Sequence, residues 1–441
     1  MPGTPKPKNI SPRFERIAEL ARQMPNEALR TLAHHIDVDL LREAYRRTRK
    51  SGAPGVDGRT AAEYEQNLEE NLQALLDRFK SGLYRAPPVR RVYIPKGQGK
   101  TRALGIPTIE DKILQRAVTM VLEAVYEQDF KPFSWGFRPG RRMHDALAEL
   151  RNWLMDRRGG WVLEVDIEKF FDTLDHSILR ELLSQRVRDG VIRRAIGKWL
   201  KAGVMEDGQY SRATSGTPQG GVISPLLANV YLHHAFDVWF DDEVRPRLRG
   251  RSHVVRFADD IVIAFEREDD ARRVMDVLPK RFGRYGLTLH PDKTRLVRFE
   301  RPRGDGDTDG PGSFDFLGLT HHWAKSRRGY WVIKQRTAKD RMRRACRAAS
   351  QWCRRNRHLP VEEQAKALGA KLRGHYNHYG VTGNSRSLER FFRVVRRLWL
   401  KWLNRRSQKR HMNWERFAAL LKRYPLPPPR LGARGWRAAN P

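Results

Sequence analysis

From Trp161 to Phe171 the chain reads WVLEVDIEKFF. Trp161, Leu163, Val165 and Ile167 fall on one side of a two-residue period, and Glu164 and Asp166 on the other. This predicts a strand with one apolar and one acid-bearing face. HVVRFADDIVIAF, residues 253 to 265, predicts a strand, a turn and a second strand, with Asp259 and Asp260 at the turn. RVYIPKGQGKTRALGIP, residues 91 to 107, predicts a β-hairpin around a Gly-Gln-Gly tip. Ile113, Leu114, Ala117, Val118, Val121 and Val125 trace the stripe of an amphipathic helix behind it. Thr60 with Glu63, and Thr108 with Asp111, have the spacing of capping boxes, and Ser224 with Pro225 marks a helix start.

Past about residue 335 the two-residue period gives way to helical, Arg-rich and Trp-rich sequence, which predicts a domain boundary there. RPRGDGDTDGPGS, residues 301 to 313, reads as a loop between strand-like runs. No internal repeat and no run of 18 apolar residues is present, which argues against a membrane-spanning helix. The first residues have no apolar core of a secretory signal.

The 86 Lys and Arg against 51 Asp and Glu give a net charge of +35, which points to a polyanionic partner, by default nucleic acid. The two cysteines, Cys346 and Cys353, read as free thiols in a reducing compartment, and no CxxC pair offers a zinc site. His375 and His378 lie i and i+3 without a third ligand, so they read as stacking or hydrogen-bonding groups rather than a metal site. Tyr376 and Tyr379 read as possible platforms for RNA bases.

Three DD pairs occur. Asp241 with Asp242 and Asp269 with Asp270 stand among charged neighbours and read as solvated. Asp259 and Asp260 stand in an apolar run and need compensation. If Asp166 meets them on one sheet edge, their repulsion would raise the carboxyl pKa values unless cations intervene. Oxygen-only ligands suit a hard ion such as Mg²⁺. Two such ions about 4 Å apart can clamp the attacking and leaving oxygens of a phosphoryl transfer. Lys96 and Arg102, flanking the first hairpin, could grip a triphosphate. Phe171 could press on a sugar, and Gln219 lies beside glycines that admit a nucleotide. Each feature alone has a plainer reading as a surface charge, a core ring or a turn. Their order along one chain carries the case.

From Arg386 to Arg410 ten basic residues face one acid, Glu389, while Leu388, Phe391, Phe392, Val395, Leu398, Trp399, Trp402 and Leu403 form an apolar stripe. The stripe should pack into a helical bundle and leave a cationic face for a phosphate backbone. On that face Arg390, Arg393, Arg397, Lys401 and Arg405 are the RNA-binding candidates.

The succession IPKGQGKTRALGIPTIEDKILQ, SWGFRPGRRMHDAL, EVDIEKFFDTLDH, TPQGGVISPLLANVYLHHAFD, RFADD, GLTLHPDKT and FDFLGL resembles the reverse transcriptase of bacterial group II introns. RGHYNHYGVTGNSRSLERFF resembles the maturase, or thumb, domain of that family. The resemblance covers about residues 30 to 430. It implies an α+β right-hand polymerase: an N-terminal extension (1–85), fingers and palm built on antiparallel sheet and helices (86–335), and an α-helical thumb/maturase domain (336–441).

It also implies catalytic aspartates at Asp166, Asp259 and Asp260, which hold two Mg²⁺ ions, replaceable by Mn²⁺, together with the Ile167 carbonyl. It implies nucleotide contacts at Lys96, Arg102, Lys169, Phe170, Phe171, which excludes a ribose 2′-OH, and Gln219. Lys293 would protonate pyrophosphate, and Leu317 and Gly318 form a primer grip. The implied partners are the intron RNA, an RNA template with DNA primer, dNTPs and target DNA, met in the cytoplasm and on the nucleoid, with an RNA-directed polymerase serving splicing and mobility. The resemblance leaves open a splicing cofactor with a dispensable polymerase, or a domesticated enzyme of phage defence or repair. Phe257 replaces the Tyr that the family usually has before Ala-Asp-Asp. The family's HNH endonuclease, with its cysteine pairs, is absent, so second-strand cleavage is not expected.

Overall fold

The computed structural model describes residues 11–97, 100–206, 208–211, 216–217, 220–302, 312–406 and 411–431, without the side chains of residues 11, 95–97 and 100. The strands in chain order begin with β1 (Val89–Gly97), β2 (Lys100–Ile106), β3 (Trp161–Val165), β4 (Val204–Glu206) and β5 (Gln209–Ser211). They continue with β6 (Ser252–Phe257), β7 (Asp260–Phe265), β8 (Arg295–Arg298), β9 (Phe314–Phe316), β10 (Leu319–Lys325) and β11 (Trp331–Thr337). Their sheets run β2-β1-β4-β5, β6-β7-β3-β8 and β11-β10-β9. The fold is α+β, with helices between the sheets and after them.

The chain divides into two compact units, residues 1–146 with 163–296, and residues 147–162 with 297–441. The boundary expected near residue 335 falls inside the second unit. There β10 and β11 are tied to both helical segments: Arg151 Nε donates to the Ile333 carbonyl at 2.9 Å, and the Thr337 amide donates to Asn384 Oδ1 at 2.8 Å.

The first unit is organised on the helix Ile109–Tyr126. Ile113, Leu114, Ala117, Val118, Val121 and Val125 are all fully buried. Gln115, Thr119 and Asp111 are buried too, so the helix is enclosed nearly all round rather than on one stripe. The capping box at Thr60 and Glu63 forms in both directions. At Thr108 only half forms: its side chain accepts from the Asp111 amide, but the Asp111 carboxylate accepts instead from the Tyr84 hydroxyl, which in turn accepts from Trp199 Nε1 at 2.8 Å. Ser224 opens its helix without capping it, and Ile223 holds the cap position.

Burial pushes the Asp111 carboxyl up to about 7, against the Tyr84 hydrogen bond, which lowers it. The unfolded value is near 3.9, so the folded chain binds this proton more tightly. Its stabilising contribution is therefore full below about pH 4 and is lost as pH rises toward 7, a fall of roughly 2–4 kcal/mol. Asp111→Asn keeps the acceptor for Tyr84 and cannot ionise. Thermal melts between about pH 5 and pH 8 are expected to lose stability with pH more slowly in this variant than in the wild type.

Of the two acid pairs expected in solvent, Asp241 and Asp242 both reach Lys131 Nζ, at 2.9 and 2.7 Å. Asp270 differs from expectation, being 1% exposed. It accepts the amides of Arg249 and Gly250 at 3.0 and 2.8 Å and an ion pair from Arg273, which replace the water it loses.

In the second unit the helices Lys339–Arg355, Val361–Tyr379, Ser385–Leu403 and Trp414–Arg423 enclose a common core of Leu368, Leu372, Tyr376, Leu388, Trp399 and Phe417. The buried Trp399 indole donates to Gln364 Oε1 at 2.9 Å, so its one polar atom is satisfied. Cys353 is buried in the same core and both thiols are free. His375 stacks on Phe391 with ring centroids 4.0 Å apart, a packing role.

Candidate active site

β3 is the hydrogen-bonded neighbour of β7, so the two acid-bearing runs share one sheet. Asp166 follows the last residue of β3 and Asp260 opens β7. Leu163, Val165 and Ile167 are buried and Glu164 and Asp166 half-buried, as the alternation predicts, but Trp161 is only half-buried and Val162, on the acid-bearing side, is fully buried. Asp259 is half-buried and Asp260 exposed. β6 and β7 pair from Ser252 with Phe265 to Phe257 with Asp260, which leaves Ala258 and Asp259 as a two-residue turn. Ala258 adopts φ 58°, a left-handed conformation that a side chain resists.

Asp166 is held at its backbone. Its carbonyl accepts from the His290 amide at 2.8 Å, and the Glu168 amide donates to the Thr288 carbonyl at 2.8 Å. This bridge, between Ile167 and Leu289, uses the flanking groups, so it does not occupy the Ile167 carbonyl. The Asp166 carboxylate takes Lys293 Nζ at 3.1 Å. Among the described residues, no three His, Cys, Asp or Glu side chains stand close enough together to hold a metal ion as they lie. The donor set at this edge, carboxylates and a carbonyl, is nonetheless of the type a hard divalent ion takes.

Lys169 has φ 47° and precedes the short helical turn Phe170–Thr173. Phe170 is buried against Phe171 and Tyr231, whereas Phe171 is only half-buried. The glycine-rich loop is anchored here, since the Thr217 amide donates to the Phe171 carbonyl at 2.8 Å. A Cβ on Gly216 would lie 2.8 Å from the same carbonyl. On its other side, a Cβ on Gly220 would lie 2.5 Å from the Gly105 carbonyl, and Gln115 Oε1 accepts the Val222 amide at 2.8 Å. Three separated stretches thus converge: the run after Asp166, the loop, and β2 with the exposed Arg102. Gln219 and the Lys96 side chain lie outside the described residues.

Beneath the acidic turn lies a group that the sequence did not single out. Arg256 is fully buried, and its guanidinium donates to both oxygens of the fully buried Asp237, at 2.7 and 2.5 Å. It also donates to Asn229 Oδ1 at 2.9 Å, Ser134 Oγ at 2.7 Å and the Ala258 carbonyl at 3.2 Å. Burial pushes the Asp237 carboxyl up, and the Arg256 charge opposes the rise. Asn229 Nδ2 donates to the Gly136 carbonyl at 2.7 Å. A Cβ on Gly136 would lie 2.3 Å from the Ala258 nitrogen, so only glycine permits this approach. Asp237 itself lies in a wide i→i+5 helical turn, His233–Asp237, of the kind often found at functional sites. SWGFRPG, ANVYLHHAFD and RFADD therefore meet at one guanidinium that fixes the turn carrying Asp259.

In the second unit, Leu317 and Gly318 form the two-residue turn between β9 and β10, with φ 51° and 79°. Positive φ at both positions matches the twist of a tight hairpin. On the helix Ser385–Leu403 the stripe packs inward, while Arg390, Arg393, Arg397 and Lys401 are exposed, as is Arg405 just beyond it. Of these five, Arg393 alone has an ion pair among the described residues, at 3.6 Å to Glu389. Lys409 and Arg410 lie outside the described residues.

Residues 94–321 match the reverse transcriptase (RNA-dependent DNA polymerase) domain. Protein YkfC of Escherichia coli (strain K12) is 36% identical over 330 residues, 65% of this chain and 84% of YkfC. The group II intron-encoded protein LtrA of Lactococcus lactis subsp. cremoris is 35% identical over 248 residues, 54% of this chain and 41% of LtrA. The mitochondrial nuclear intron maturase 4 of Arabidopsis thaliana is 25% identical over 170 residues, 38% of this chain and 21% of that protein. The matched stretch holds Asp166, Asp259, Asp260 and the Arg256 socket alike, and the chain belongs to the reverse transcriptase family of RNA-dependent DNA polymerases.

Proposed function

We propose that this chain is the reverse transcriptase and maturase of a group II intron, which copies the intron RNA into DNA and binds that RNA to assist its splicing. The polymerase reading rests most on the Asp166-bearing strand lying beside the strand that Asp260 opens, with the glycine-rich loop anchored to the Phe171 backbone. The intron reading is supported by the likeness to LtrA and by the cationic helix face that its apolar stripe leaves outward.

Reverse transcriptases use divalent ions, and here Asp166, Asp259, Asp260 and the Ile167 carbonyl would hold two Mg²⁺, supplying charge neutralisation at the transferring phosphoryl group. Lys293 holds its ammonium protons beside Asp166, where it would hand one to the departing pyrophosphate. The exposed Arg102, with Lys96, would grip the triphosphate, and the Lys169 and Phe170 amides would add backbone donors. Phe171 would stand beneath the sugar and exclude a 2′-hydroxyl, with Gln219 over the base pair. Leu317 and Gly318 would steady the primer end. Arg390, Arg393, Arg397, Lys401 and Arg405 would take RNA phosphates.

Primer extension on a defined RNA template, with Mg²⁺ titrated, tests the enzyme. Splicing of a group II intron RNA by the same preparation tests the maturase. Incorporation of dNTPs that requires the divalent ion, together with accelerated splicing, is the expected result. Extension without splicing would leave a polymerase that is no maturase.

A further inference from the structure

A second cationic feature lies in the first unit, away from the acids. The helices His176–Arg186 and Gly190–Lys201, the segment 85–88 and Tyr210 of β5 enclose a cleft of about 790 Å³. Six cations line it: Arg85, Arg180, Arg193, Arg194, Lys198 and Lys201. Among the described residues no Asp or Glu lines it, and none of the active-site acids does. Lys198 is committed to the fold, donating to the Gly82 and Tyr84 carbonyls at 2.7 and 2.5 Å. The other five are exposed, and none has an ion pair among the described residues.

Local structure does not account for this charge. Arg193 and Arg194 follow the first turn of their helix, whose cap, Asp189, spends its carboxylate on the Val191 and Ile192 amides. Asp189 also accepts the Leu32 and Ala33 amides, and it makes no ion pair with either arginine among the described residues. Other exposed arginines of the first unit do pair with acids, as Arg47 does with Glu43 and Arg272 with Glu268. Tyr210, 55% exposed, lines the cleft, and an exposed ring beside unpaired cations is the arrangement that binds a single strand, phosphates on the cations and a base on the ring.

We infer that this cleft holds a single-stranded RNA segment at a site separate from the acidic turn. The inference rests on the reading of the chain as an RNA-directed polymerase, and it adds a holding point for RNA that polymerisation on a short primer–template does not need.

The test is the full chain carrying Arg193→Gln, Arg194→Gln and Lys201→Gln together, with Tyr210→Ala made separately. A fluorescent single-stranded RNA and a duplex RNA of equal length are titrated across salt. Loss of three phosphate contacts should weaken single-strand binding at least about tenfold near physiological salt and flatten the slope of log K against log salt by roughly 2. Tyr210→Ala should weaken it about tenfold without changing the slope. Turnover on a short primer–template, and the melting temperature, should stay at wild-type values. Single-strand affinity and slope both unchanged in the triple variant would overturn the inference, as would a loss confined to the duplex. Wild-type protein that neither binds RNA nor extends a primer would instead overturn the polymerase reading.

Discussion

Asp259→Asn is expected to lower primer extension on an RNA template by about 10³-fold, equivalent to roughly 4 kcal/mol of lost transition-state stabilisation. The change removes one negative charge and keeps the shape. Asp259 lies half-exposed in a two-residue turn, where an amide of the same shape fits, so the melting temperature should barely move. The loss should fall on kcat, because in the proposed site the carboxylate would act where charge develops rather than where the template is gripped. RNA affinity should be unchanged, since the cationic cleft and the helix Ser385–Leu403 are untouched. Splicing of an intron RNA should survive for the same reason. A variant that retains more than a tenth of wild-type extension would remove Asp259 from the chemistry, and one that loses extension and splicing together would point to misfolding.

Arg256→Ala should do a different kind of damage. It leaves Asp237 without its counter-charge in a site with no solvent access and strips Asn229 and Ser134 of a partner. Breaking a buried pair from one side costs about 3–5 kcal/mol, or a melting point lower by roughly 10 °C in a unit of this size. Arg256 touches no substrate; it is a positioning residue for the acidic turn, acting through the Ala258 carbonyl. The double variant Arg256→Met, Asp237→Leu separates this role from stability. Replacing a buried ion pair with apolar groups is often neutral or favourable, so the double variant should regain most of the lost stability. It should not regain turnover: the turn is no longer pinned, and a displacement near 1 Å can cost about 100-fold. Measured kcat should stay low while the KM for dNTP stays near wild type. Full recovery of kcat would reduce the pair to core filling.

The same sequence signal marks the acidic turn and the socket beneath it, but only at the turn does it carry its own explanation. Asp259 and Asp260 stand out as charges inside an apolar run, and the two-residue period sets Asp166 opposite Leu163 and Val165. Arg256 is an equally isolated charge in HVVRF, but its partners lie 19, 27 and 122 residues away, beyond any local pattern. Asp270 has the charged neighbours of a solvated acid in EREDDARR. Burial came instead from backbone amides 20 and 21 residues earlier. Asp111 has the spacing of the far half of a capping box, but a tyrosine 27 residues back captures it. The hairpins, the stripes and the texture change toward helix were legible because they depend on short-range periodicity. The contact boundary was not, because residues 147–162 join a unit that otherwise begins at 297.

The chain therefore carries two populations of charge. The surface cations trade counterions with the medium, and their hold on a polynucleotide loosens as ionic strength climbs. The guanidinium under the turn sits in a dry socket, where dissolved ions hardly reach it. Swings in cellular potassium would then shorten or lengthen the dwell time of the enzyme on a transcript while leaving each chemical cycle at its own pace.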